Sequence, residues 1–162
     1  SEIVRKREGL IIARHHNGCV VANAAIDLSN AGERETAVLL PADADISARK
    51  FAESVSAVTG KQIAVVINDS MGRAWRLGTS GTAIGACGLA ALQNRCGAVD
   101  RDGVVLQSTE IAIADEVAAA ASLLMGQGNE GLPAVVIRGL EWVDGSGSAA
   151  DLVRPREADL FR

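Results

Sequence analysis

The sequence predicts an α+β fold, with mixed or antiparallel sheets and flanking helices, and three observations predict it. An Asn17-Gly18 pair divides two β-rich runs, a strong short-range hairpin signal. Two segments, "DADISARKFAESVSAVTG" and the stretch ending at Met125, carry helical periodicity and end at Gly60 and Gly126. Strands alternate with these helices, yet the opening hairpin argues against a purely parallel sheet. The 162 residues suit one domain, 1–162, and with no Tyr, two Phe and two Trp its core must be aliphatic. A net charge of -4 without a Lys/Arg stripe speaks against nucleic acid or an anionic membrane as partner, and no segment is long enough to cross a bilayer.

The chain opens with "SEIVRKREG", which reads as the end of a helix, basic in its last turn and stopped by Gly9. Ser1 is not an initiator Met, so an N-terminal part is expected to precede it. "GLIIARH" and "CVVAN" form the hairpin; "AAIDLSNAGERE" is turn-rich and "TAVLLP" a short strand ended by Pro41. In the helix that follows, Ile46, Phe51, Val55 and Val58 recur near helical spacing, and Asp43 or Asp45 can cap its first turn. "KQIAVVIND" reads as a strand covered on both faces, with a loop hanging from its carboxyl end. "GTAIGACGLAALQ" suits another strand, its glycines admitting a second backbone. Asp102-Gly103 marks a turn, followed by a strand through about Ile113 and a helix with Val117, Ala121 and Leu124 on one face. "LPAVVIRGL" is one more buried strand and "DGSGSAAD" a flexible loop.

Candidate chemistry concentrates in "VINDSMGRAWRLG". A carboxylate at a strand end, Asp69, suits a hard divalent cation, Mg²⁺ or Mn²⁺, that takes oxygen ligands and leaves positions for phosphate or water. Arg73 and Arg76 offer planar forks for anionic groups, pointing to a phosphorylated substrate. The ordinary alternative makes Asp69 a turn cap and pairs the arginines with surface acids. A second acid would come from Glu110 or Asp115, though Asp115 equally suits a helix N-terminus. Asn23, Asp27, Ser29 and Asn30 form a dense hydrogen-bonding set that Asx turns would also use. His15 and His16 fall at a hairpin tip and read as exposed, without a partner at ligand spacing. Cys19, Cys87 and Cys96 lack metal spacing and no secretory signal opens the chain, so small buried hydrophobes in a reducing cytoplasm are expected. Phosphate-loop, dinucleotide, nucleophile-elbow and zinc patterns are absent from the sequence.

In family order, "ANAAIDLSN", "VINDSMGRAWRLG", "TAIGACGL", "STEIAIADEVAAAASLLMG", "PAVVIRGL" and "DLVRPREADLF" resemble the coenzyme F420:γ-glutamyl ligase family across nearly the whole chain. The resemblance implies a GTP-dependent enzyme that adds L-glutamate, through γ-linked amides, to a deazaflavin coenzyme precursor by way of an acyl phosphate. It also implies Mg²⁺ or Mn²⁺ with an assisting K⁺, and an intertwined homodimer. By the same resemblance Asp69 is a metal-binding aspartate and Gly72 a nucleotide contact, with Glu110 and Ile111 near a second metal site. Many relatives read "GQTD" where this chain has Gly78-Thr79-Ser80-Gly81, which admits a ligase acting on another carboxylate. Family chains begin with a further segment bearing part of the GTP site. The isolated chain is therefore expected to show little activity, and a non-catalytic binding or dimerisation module is the alternative.

Overall fold

The computed structural model describes residues 2–29, 32, 36–141 and 143–159. Asp43 is extended and accepts a hydrogen bond from the Ile46 N–H at 2.8 Å, satisfying one of the donors that a helix start leaves free. Helix α1 (Ala44–Thr59) begins there and stops at Gly60, whose φ of 68° is the left-handed conformation that glycine adopts without a Cβ clash. Helix α2 (Ile113–Met125) stops likewise at Gly126. Its buried face carries Ala114 and Ala118, whereas Leu124, which the sequence groups with Val117 and Ala121 on one face, is exposed. Close approach to a strand favours small side chains along that face.

The Asn17-Gly18 hairpin is present. Strand β2 (Leu10–Arg14) pairs antiparallel with β3 (Val20–Ala22), and the Gly18 N–H donates to His15 O at 3.0 Å. Of the two histidines, His16 is exposed and His15 half-buried. Residues expected to end a helix instead form β1 (Glu2–Arg7), paired antiparallel with β2 in the order β1-β2-β3. Ile3 and Val4 are β-branched and favour strand, and the left-handed Gly9 turns the chain between two strands rather than capping a helix.

Asp69 does not sit where a buried strand ends. Strand β4 (Val65–Arg73) runs through it and returns as β5 (Arg76–Cys87), so the expected loop is the distal half of an antiparallel hairpin. The register shifts at Ile67/Asn68, where Ile84 on β5 is the extra residue of a bulge, and again at Gly72/Arg73. The turn passes through Ala74 and Trp75, the latter at φ 65°, a position where glycine or asparagine is usual. These two irregularities conceal the hairpin from a pattern search.

The remaining strands are short, and among the described residues every sheet is antiparallel: β6 (Gln93–Asn94) pairs with β7 (Glu110–Ile111). The strand expected through Ile113 thus shrinks to β7, beside an isolated bridge from Val99 to Val105. "TAVLLP" contributes one bridge, Val38 to Asp27, and "LPAVVIRGL" forms no strand and lies largely exposed. "DGSGSAAD" is not a free loop. Ser148 caps a 3-10 turn at Ala149–Leu152, and Gly147 lies against Ala90 and Ala91.

The β4–β5 hairpin divides the core because successive strand residues face opposite sides. On one side Ala83, Ala86, Leu89 and Ala91 meet Ala114 and Ala118 of α2; on the other Met71 and Ile84 meet Val21, Cys19, Leu40 and Ala44. Both helices touch β5 at glycines. A Cβ on Gly81 would fall 2.8 Å from Ser122 Cβ and nearer still to the Ala118 carbonyl, and one on Gly85 would fall 2.7 Å from Ala44 Cβ. Gly81→Ala is therefore expected to destabilise the protein by about 1–3 kcal/mol through overpacking. Gly72→Ala, whose Cβ meets nothing within 4 Å, should be near neutral. Thermal denaturation of the two variants side by side checks the contrast.

Candidate functional site

On β4, Ile67, Asp69 and Met71 alternate onto the face that packs toward Cys19 and Val21, so Asp69 is placed between two core side chains. It pairs across the hairpin with Thr82 and is half-buried. One oxygen, Oδ1, accepts the Ser70 N–H at 2.7 Å. Burial pushes the Asp69 carboxyl pKa up, the Ser70 hydrogen bond opposes this, and the negative charge of Asp27 adds to the rise.

The Cys19 thiol is also raised, first by burial and then by the charges of Asp115 and Asp69, so it stays protonated and unreactive at neutral pH. Cys19 and Cys87 are half-buried as expected of small hydrophobes, but Cys96 is exposed. Asp115 spends one oxygen on the backbone, accepting the Ala83 N–H at 2.8 Å. A cleft of about 230 Å³ opens beside Cys19, between the hairpin tip at His16 and the start of α1, with Leu40, Asp45 and Ile84 also on its walls.

Asp27 and Ser29 make a local turn in which Ser29 N–H and Oγ donate to Asp27 Oδ1 at 2.8 and 2.7 Å. Those bonds lower the Asp27 pKa, the side-chain one most. Asn23 accepts the Ile11 N–H at 3.3 Å, and Asn30 lies outside the described residues. Asn23, Ala24 and Ala25 have φ of 50°, 54° and 58°. Asn23 tolerates this conformation, but for Ala24 and Ala25 it costs about 1–2 kcal/mol each, and nothing in the two alanines announces it.

Arg73 and Arg76 face each other across the hairpin end, exposed, and neither forms a salt bridge among the described residues. Gly72 is exposed beside them. Glu110 and Ile111 lie on the separate β6–β7 pair, Glu110 exposed opposite Asn94. Thus Asp69 and Asp27 interact electrostatically, as do Asp69 and Asp115 with Cys19, while Glu110 belongs to another sheet. Among the described residues no three His, Cys, Asp or Glu side chains converge closely enough to hold a metal ion by themselves. No described helix is long and apolar enough to cross a membrane.

Comparison with known proteins places this geometry in a family. The model of F420-0:gamma-glutamyl ligase matches residues 1–139. The chain belongs to that family. A coenzyme F420:L-glutamate ligase of Methanothermobacter thermautotrophicus is 45% identical over 164 residues, covering 100% of this chain and 65% of that protein. The corresponding ligase of Methanocaldococcus jannaschii is 43% identical over 99% of this chain and 64% of its own length. That of Archaeoglobus fulgidus is 44% identical over 94% of this chain and 60% of its own length. This member of the ligase family thus spans just under two thirds of the relatives it matches.

Asp69 sets a pH dependence whose sign follows from its raised pKa. Between the unfolded value, about 3.9, and the higher folded value, the native state holds a proton that the unfolded chain has released. Stability from this group is therefore complete below the unfolded pKa and is lost as pH rises through the folded one. Asp69→Asn, which keeps the acceptor for Ser70 but not the charge, is expected to be more stable than the parent at neutral pH. The difference should vanish below about pH 3.9. Urea unfolding in the presence of a chelator, across a pH series, measures it.

Proposed function

We propose that the protein works as a GTP- and divalent-metal-dependent ligase, adding L-glutamate through γ-linked amides to the coenzyme F420 precursor. The observation that carries this reading is the half-buried carboxylate of Asp69, its pKa raised by burial and further by the charge of Asp27, in a chain of the F420-0:gamma-glutamyl ligase family. Carboxylates that raise one another's pKa favour a bound cation.

The donor chemistry fits Mg²⁺ or Mn²⁺, which take oxygen ligands and keep positions for water and phosphate. Asp69 would anchor such an ion, with Glu110 and Ile111 as further candidates and K⁺ as an assisting ion. When bound, the ion would supply charge neutralisation at the triphosphate. Arg73 and Arg76 would grip phosphate oxygens with their forks as charge moves toward the leaving diphosphate. Gly72, exposed and lacking a side chain, would let the nucleotide approach the backbone; Asn23, Asp27, Ser29 and Asn30 would supply hydrogen bonds. An acceptor carboxylate oxygen attacks the γ-phosphorus and GDP leaves. The glutamate amine then attacks the acyl carbon, phosphate leaves, and the amine gives up its proton.

The exposed surface supports a homodimer. It amounts to 11809 Å², against about 7600 Å² for a compact monomer of 16.7 kDa by the usual size scaling. Leu77, Leu123 and Val136 are 98%, 86% and 77% exposed, a distribution that a second copy would cover. A second reading, a non-catalytic binding or dimerisation module, draws on the absence of a three-donor metal cluster among the described residues.

Calorimetry and turnover with GTP, Mn²⁺, glutamate and the coenzyme precursor separate the two. The ligase reading expects metal-dependent nucleotide binding and product from the complete protein. It also expects Asp69→Ala to lower turnover by about a hundredfold or more, as loss of a principal electrostatic group does. Nucleotide binding absent under every metal condition would sink it. A panel of other carboxylates tests whether Gly78-Thr79-Ser80-Gly81 redirects acceptor choice.

A further inference from the structure

The outer edge of β5 carries an irregularity with a defined partner set. Outward N–H groups of a regular strand recur every second residue. Here the two that bond to side chains belong to Ala83 and Ala86, three residues apart. The bulge at Ile84 accounts for the odd spacing, since one inserted residue reverses which N–H groups face the partner strand. Each displaced donor meets an aspartate from the first turn of a helix. Ala83 N–H donates to Asp115 Oδ1 at 2.8 Å, and Ala86 N–H to Asp45 Oδ1 at 2.7 Å.

The two helices repeat one device. Ala44 precedes Asp45 as Ala114 precedes Asp115, and both alanines sit in the core. In each case the methyl group allows the helix start to approach the strand closely enough for the next residue's carboxylate to reach its edge. Asp45 extends the tie further, accepting the Ala149 N–H at 3.1 Å and the Ser148 hydroxyl, so α1, β5 and the 3-10 turn share one acceptor. Asp45 is thereby unavailable as the helix cap, a role that Asp43 fills.

The bulge stands one step from the candidate anchor: Asn68 pairs with Ala83 and Asp69 with Thr82. A slip there by one residue would move Asp69 to the opposite face of the hairpin. We infer that Asp45 and Asp115 are positioning residues for the ligation reaction, their carboxylates clamping the β5 bulge on both sides so that Asp69 faces the site. This rests on the reading of Asp69 as the cation anchor. Asp115 then serves through a hydrogen bond and not as a metal ligand.

The test compares Ala with Asn at each position in the full chain, because Asn retains an acceptor oxygen but loses the charge. Mn²⁺ titration followed by electron paramagnetic resonance reads the anchor. Amide hydrogen exchange at Ala83 and Ala86, without metal, reads the clamp. Asp115→Ala and Asp45→Ala should weaken Mn²⁺ binding by about tenfold or more, as loss of a group orienting a ligand does. They should also speed exchange at Ala83 and Ala86 respectively. The Asn variants should recover most of both, which also answers any Ala variant that fails to fold. Unchanged exchange in folded Ala variants overturns the clamp. Asn variants as weak in Mn²⁺ binding as Ala overturn the hydrogen-bond role and favour a charge or ligand role. If Asp69→Asn binds Mn²⁺ as the parent does, the anchor reading fails, while exchange at Ala83 still decides the clamp by itself.

Discussion

The β4–β5 hairpin is the constraint from which the rest of the structure follows. It is a two-stranded ribbon, and such ribbons are marginal in water unless other elements cover their faces and satisfy their edges. Here the faces are covered by small side chains. Ala83 and Ala86 pack against α2, and Ile84 packs against Ala44 and Val21. Gly81 and Gly85 let the helices approach until their backbones nearly touch the strand. A chain so poor in aromatic residues has no large ring with which to fill a wider gap, so it closes the gap instead. Edge satisfaction then falls to polar groups on the same helix turns, since nothing else comes near enough.

Family membership and this packing concern different links of one chain of cause. The match to F420-0:gamma-glutamyl ligase says which family the chain belongs to. The packing says why an acid occupies the middle of a hairpin strand between Ile67 and Met71, where an apolar side chain would be the stabilising choice. A half-buried carboxylate with a raised pKa, beside another acid, opposes folding at neutral pH. Such a residue contributes nothing to the core that holds it.

What the sequence made legible, and what it hid, divides by whether local chemistry or distant packing decides the outcome. Asp43, Gly60 and Gly126 act through their own turn, and both helices are where those residues mark them. Asn17-Gly18 likewise fixes its hairpin unaided. The β4–β5 hairpin is hidden because its turn is Ala74-Trp75 and two register shifts break the alternation that identifies a strand. "LPAVVIRGL" misled in the opposite sense, since its composition asks for burial that the single chain does not provide. The choice of Asp43 over Asp45 as cap was likewise illegible, because Asp45 is drawn away by donors 41 and 104 positions distant.

Two unfavourable features meet on the same side of the hairpin. The left-handed run at Asn23, Ala24 and Ala25 persists only if its surroundings over-determine it, and Ala25 packs into the cluster that holds Met71, Ile67 and Cys19. Asp69 alternates onto that same face. Strain unrelated to function would be scattered, and selection for stability would remove it one residue at a time. Strain and a desolvated acid gathered around one strand segment point instead to a region where local consistency has yielded to a geometric demand. The opposite side is built on Ala83, Ala86, Ala114 and Ala118, small side chains that pack closely across the hairpin from the strained side.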